Sequence, residues 1–185
     1  LVLFFRKELL SYPVAGGKRA MGYQLAHINV ARFRRPADDP ANADFMAMLG
    51  QVNAGADASP GFVWRLIDEE ADPADLQVFG DPALLVNLSV WADVESLRDF
   101  TYGNELHRDM IRQRAAWFER LEVFLALWWV PAGHRPSVAE GKARLDILRA
   151  RGPSDEAFTF LRIFGEKSSS ATRSLPVFGG QDVVD

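Results

Sequence analysis

What most constrains this chain is the order in which two hydrophobic periods follow one another. "YQLAHINVARF", from Tyr23 to Phe33, alternates as a strand does, with Leu25, Ile28, Val30 and Phe33 as its apolar contacts. The polar link "RRPADDPANADF" follows, in which Asp39 is placed to cap a helix and Pro40 to open it. Phe45, Met48, Leu49 and Val52 then recur at three-to-four spacing, which predicts a helix ending near "GADASPG". "FVWRLI" and "ALLVNLSVW" read as a second and third strand that pair with each other. Between them lies the polar excursion "DEEADPADLQVFGDP", with one short apolar element at Leu76 to Phe79. Asp93 to Arg120 is helical, capped at Asp93 and irregular at "YGN"; "VFLALWWV" is a fourth strand. A last helix from about Ser137 to Arg151 opens with Ser137 and Glu140 at capping-box spacing, stops at "RGP", and precedes a short extended piece, "AFTFLRIF".

The order is β-α-β-β-α-β followed by an extra C-terminal helix, the ferredoxin-like α+β arrangement with an antiparallel sheet. Helices on one face of such a sheet leave the other apolar, so something must cover it. The usual cover in this architecture is a second copy of the sheet, so a homodimeric α/β barrel is expected. The 185 residues suffice for one domain with a full core and are short for two. That domain is expected over residues 21–164. Residues 1–20 read as an N-terminal extension ahead of the more natural opening "MGYQLAHINVARF", and residues 165–185, rich in Ser and Gly, as a tail outside the core.

Charge and composition narrow the function. A net charge of −4 is unlike the clustered basic face that nucleic acid requires. The apolar run at the start stops at Phe5, too short for a membrane span. Absence of cysteine excludes disulfides and thiolate metal sites and fits a cytoplasmic protein.

The blocks "GFVWRL", "LVNLSVW", "HRDMIRQRAAWFER" and "LWWVPAGHRPSVAEGKARLDILRARGPSDEAFTF" resemble the bacterial family known as domain of unknown function 3291. The resemblance runs from about Tyr23 to Phe160. That family is in turn similar to the dimeric α/β-barrel superfamily, which includes cofactor-free antibiotic-biosynthesis monooxygenases. The resemblance implies the barrel fold and a homodimer. It does not carry one activity, because the superfamily also holds haem enzymes, isomerases and dehydratases.

Three histidines are present, and each can be weighed. His107 shares a helical stripe with Ile111, Arg114 and Phe118. If the stripe faces the sheet, His107 is a general acid/base or an axial haem ligand and Arg114 a charge stabiliser; otherwise His107 is a core histidine on a carbonyl. His134 and Arg135 follow the Pro-Ala-Gly turn after the fourth strand. They either edge a pocket or simply shape the link to the next helix. His27 and Asn29 share one strand face by the two-residue period, as Asn87 and Ser89 do on the third strand. Such polar pairs suit either a partly polar cavity or a dimer interface.

Five tryptophans are many for this length. Trp64, Trp91 and Trp128, with Asn87, are candidate walls for a small planar aromatic ligand, the tryptophans being otherwise core and interface packing. Adjacent Trp128 and Trp129 must point to opposite sheet faces. No metal-ligand spacing, phosphate loop or nucleophile motif occurs, so no metal or other cofactor is expected, haem being the alternative. The expectation is a monooxygenase-like enzyme working on a small planar organic molecule without a cofactor. The alternatives are a haem-binding protein with His107 or His134 as axial ligand, and a non-enzymatic binding or structural dimer.

Overall fold

The computed structural model describes residues 22–67 and 77–165. The expected N-terminal extension, Met21, most of the acidic excursion and residues 166–185 of the expected tail lie outside the described residues. Strand β1 spans Tyr23–Arg32, helix α1 Ala43–Asp57, β2 Phe62–Arg65 and β3 Leu84–Trp91. Helices α2 (Val94–Gly103) and α3 (Glu105–Trp117) precede β4 (Leu125–Pro131) and α4 (Val138–Arg151). The sheet order is β2-β3-β1-β4, with every neighbouring pair antiparallel. This is the expected ferredoxin-like α+β topology with an added C-terminal helix.

Local chemistry sets the boundaries. Asp39 caps a short 3-10 turn, Pro40–Asn42, that runs into α1. The Asp93 carboxylate accepts from Ser96 N at 2.8 Å and starts α2. The irregularity at "YGN" is a true break: Asn104 is extended (φ −76°, ψ 120°), and its side-chain oxygen accepts from His107 N at 3.0 Å to start α3. Ser137 caps α4, accepting from Glu140 N at 3.1 Å. Gly152, at φ 73°, ends α4 in a conformation that costs other residues energy.

Two cores flank the sheet. On one face Leu25, Trp91 and Leu127 meet Phe45 and Val52 of α1, Leu97 and Phe100 of α2 and Met110 of α3. On the other, Ile28, Val90, Ala126, Trp128 and Val130 meet Val138, Leu145 and Leu148 of α4. Part of the cover that the sequence assigns to a second copy is thus supplied by the chain's own last helix. Gly141 permits this approach, since a Cβ there would lie 2.5 Å from Ile28 Cδ1. The β2–β3 part of this face, with Trp64, Leu66 and Val86, is only partly buried.

The expected final extended piece is reduced to an isolated bridge. Phe158 exchanges both backbone hydrogen bonds with Leu127, each 2.8 Å, along the free edge of β4. Trp128 and Trp129 do take opposite faces, Trp128 under α4 and Trp129 in the core beneath the other helices. A second refinement concerns the polar strand residues. His27, Asn29, Asn87 and Ser89 lie on the face that α1–α3 cover, in register as His27↔Ser89 and Asn29↔Asn87. The apolar face is the one under α4.

Candidate functional site

A cavity of about 300 Å³ opens between α1 and the β2–β3 half of the sheet. Its apolar walls are Leu49, Phe62, Leu85, Trp91 and Phe100, and its polar lining is Asn53, Arg65, Asn87 and Ser89. A β-bulge between Phe62 and Trp64 produces this mixture. It places Phe62 opposite Trp91 and Arg65 opposite Ser89, both facing the cavity, and turns Trp64 to the far face beside Val90. Arg65 is oriented by Asp57 at the end of α1, with Nε donating to Oδ1 at 2.8 Å and a second bond of 3.3 Å.

Behind the cavity wall is a buried polar chain. Trp91 Nε1 donates to Ser89 Oγ at 3.0 Å, and Ser89 Oγ lies 3.1 Å from Nδ1 of the fully buried His27. Ser89 Oγ keeps a second lone pair and its own hydrogen, so it can serve His27 Nδ1 as acceptor or as donor; Nε2 is a buried atom with no hydrogen-bond partner among the described residues. Burial holds the His27 pKa well below the ordinary histidine value, and nearby His107 pushes it the same way. The ring is therefore neutral at neutral pH.

The remaining candidates separate into three places. His107 is fully buried; its Nδ1–H donates to the Thr101 carbonyl at 2.8 Å and its ring lies 5.1 Å from that of Phe100. It holds the α2–α3 junction, behind the Phe100 wall. Arg114, two turns further along α3, lines a different cavity, so the stripe does not bring His107 and Arg114 to one site. Asn29 is buried beside the polar chain and donates to Phe124 O at 3.3 Å.

Trp64, Trp128, His134 and Arg135 belong to the α4 face instead. Arg135 lies over the Trp64 ring at 6.0 Å. Glu140 accepts from Trp128 Nε1 at 2.8 Å and pairs with His134 Nε2 at 2.8 Å. The capping-box glutamate thus ties the Pro-Ala-Gly turn to the sheet, so this segment is chiefly architectural. Of the expected walls, Trp91 and Asn87 line the cavity; Trp64 and Trp128 do not, because the bulge and strand alternation turn them away.

Sequence reasoning missed Asn53, Phe62, Phe100 and Arg65 as lining residues. For Arg65 the signal was a lone charge between Trp64 and Leu66; the others read as ordinary helix and strand positions. Among the described residues no group of three His, Asp or Glu side chains could hold a metal ion. Nor do the histidines fit an axial haem ligand. His27 and His107 are fully buried within side-chain packing, and His134 is committed to Glu140.

Strand order, helix placement and a polar sheet face beneath the helices define the class: a split-βαβ domain with a cavity between helix and sheet. The chain belongs to the family Domain of unknown function (DUF3291), whose model matches residues 24–174. No curated protein matches it. Solved structures are similar at low identity. A protein of unknown function from Nitrosomonas europaea, NE2512, shares 12% identity over 62% of this chain and 93% of its own, with a TM-score of 0.39. PA3566 from Pseudomonas aeruginosa shares 16% over 64% and 100%, with a TM-score of 0.39. SnoaB, a cofactor-independent oxygenase from Streptomyces nogalater, shares 16% over 62% and 95%, with a TM-score of 0.36. None of the described helices is long and apolar enough to cross a membrane.

Proposed function

We propose that the α1–β2–β3 cavity receives a small planar organic molecule bearing an acidic hydroxyl, and that the protein acts on it as a cofactor-independent, monooxygenase-like enzyme. The observation that carries this reading is the Trp91–Ser89–His27 chain at the wall of a cavity with aromatic sides. Half-buried Phe62 offers an apolar surface to a flat ligand, backed by Trp91 and Phe100, which stack on each other behind it. When Ser89 gives its hydrogen to His27 and one lone pair to Trp91, the second lone pair is left for a ligand hydroxyl. A ligand hydroxyl donating to Ser89 is held there to lose its proton to solvent at the open side of the cavity, since buried His27 resists protonation. Arg65 and Asn87 stabilise the anion that remains, which is electron-rich enough to reduce dioxygen. Homodimerisation through the partly buried Trp64–Leu66–Val86 area belongs to the same reading.

The test is oxygen uptake with 1,8-dihydroxyanthrone, a planar phenolic ketone, measured against its spontaneous oxidation. Saturable uptake, reduced at least tenfold in both Ser89→Ala and Arg65→Gln, supports the reading. Uptake no faster than the spontaneous rate, with no saturable binding, overturns it. Native mass gives the oligomeric state.

A further inference from the structure

Among the described residues, Arg65 is the one charged side chain in the lining of the α1–β2–β3 cavity; Asn53, Asn87 and Ser89, which share that lining, are neutral. Its charge is already answered. Asp57, the last residue of α1, accepts from Arg65 Nε at 2.8 Å and from Nη2 at 3.3 Å. The arginine is the less exposed partner, 25% against 44%, and Asp57 is not part of the lining. A guanidinium carries five N–H groups, so both on Nη1 and one on Nη2 are left for a ligand. The pair thus presents hydrogen-bond donors to the cavity without presenting a net charge.

We infer that Asp57 sets the class of ligand this cavity takes: aromatics that are neutral on entry are accepted, and aromatic carboxylates are turned away. The inference rests on the reading of the cavity as the receptor of a planar phenol and adds the charge that the ligand carries when it enters. A carboxylate on Arg65 would share the guanidinium with Asp57. Two carboxylates on one cation leave a negative charge uncompensated beside Leu49, Phe62 and Leu85, and an unpaired charge against apolar surface is costly. A phenol enters uncharged and avoids that cost. Its anion, formed in place, spreads its charge over the ring rather than concentrating it on two carboxylate oxygens. Arg65 is the donor that meets the ligand, and Asp57 fixes specificity through it.

The experiment is calorimetric titration of the full chain at about pH 7 with 2-naphthol, 2-naphthamide and 2-naphthoate, the last two matched in shape and differing in charge. Wild type is expected to bind naphthol and naphthamide, and naphthoate at least tenfold more weakly than naphthamide. Asp57→Asn keeps an oxygen for Arg65 Nε and removes the charge. The last turn of a helix disfavours an acid, so this change does not weaken α1. In this variant the affinity ratio of naphthoate to naphthamide should rise at least fivefold, and adding Arg65→Gln should abolish the rise. If Asp57→Asn fails to fold, Asp57→Ser decides by the same ratio. Equal binding of naphthoate and naphthamide by wild type, an unchanged ratio in the Asp57 variant, or a rise that survives Arg65→Gln would overturn the inference while naphthol binding leaves the phenol reading standing. Failure of wild type to bind any of the three overturns both.

Discussion

Ser89 Oγ lies 3.1 Å from His27 Nδ1 and accepts from Trp91 Nε1 at 3.0 Å, so one half-buried hydroxyl serves one nitrogen of each of two buried rings. His27 is fully buried and Trp91 is 1% exposed, so neither has water to replace it. Ser89→Ala is expected to destabilise the fold by about 2–6 kcal/mol, since each of the two orphaned buried polar groups costs about 1–3 kcal/mol. Urea unfolding followed by tryptophan emission measures this; a loss below about 0.5 kcal/mol, on the scale of an ordinary surface change, would contradict the hydrogen-bond chain.

The same pair makes stability depend on pH. His27 has its folded-state pKa held well below that of an unfolded histidine, chiefly by burial. Below about pH 6.5 the unfolded chain therefore binds a proton that the native chain refuses. Stability contributed by a neutral His27 is complete above that pH and falls as pH drops toward the folded pKa, by up to about 1.4 kcal/mol per unit. Unfolding free energies between about pH 4.5 and 6.5 should show this slope in the wild type and a slope about one proton smaller in His27→Gln. Parallel slopes would mean that His27 takes up its proton in the folded state.

How much of this was legible in the sequence differs by kind of information. Element order and type were readable from alternation along β1, from the three-to-four spacing of Phe45, Met48, Leu49 and Val52 in α1, and from the capping box and stop signal that bound α4. Cap chemistry at Asp39, Asp93 and Ser137 was equally local. That His27 and Asn29 share one face of β1, and Asn87 and Ser89 one face of β3, followed from the two-residue period, whereas their register with each other did not. What covers each face was not readable, because it depends on where α4 returns, and the permission for that return is a single glycine, Gly141. The His107–Arg114 stripe failed as a site for a similar reason. Helical spacing aligns side chains along α3, but the two residues lie two turns apart, about 10 Å along the axis, and open onto different hollows. Trp64 was misplaced by the bulge after Phe62, which leaves no mark in hydrophobic alternation.

Glu140 separates capping from tertiary anchoring. Its carboxylate accepts from Trp128 Nε1 and pairs with His134, while its own N–H is capped by Ser137. Glu140→Gln keeps a carbonyl oxygen for the indole and loses the charge beside His134 and Arg144, both partly exposed, so a change under about 1 kcal/mol is expected. Glu140→Ala leaves the buried Trp128 N–H without an acceptor and should cost about 1–3 kcal/mol. Equal effects of the two variants in urea unfolding would show that the indole bond contributes nothing.

Two helical glycines test the packing of α4 on the sheet. Replacing glycine by alanine inside a helix gains up to about 1 kcal/mol in propensity wherever the methyl group has room. At Gly50, in α1, a Cβ meets nothing within 4 Å, so Gly50→Ala should stabilise by about 0.5–1 kcal/mol. At Gly141 the new Cβ lies 2.5 Å from Ile28 Cδ1 and 3.3 Å from both Ile28 Cβ and Cγ1. Turning the terminal methyl relieves only the first contact. The others belong to a β-branched stem in the central strand, fully buried and stiff at its first torsion. Overpacking of this kind costs about 1–3 kcal/mol, which outweighs the helix gain. Gly141→Ala should therefore destabilise by about 0–2 kcal/mol while Gly50→Ala stabilises, an opposition of sign that thermal unfolding of the two variants reads directly. Matching stabilisation by both would mean that α4 stands off the sheet in solution, leaving Ile28 and Trp128 for another surface to cover.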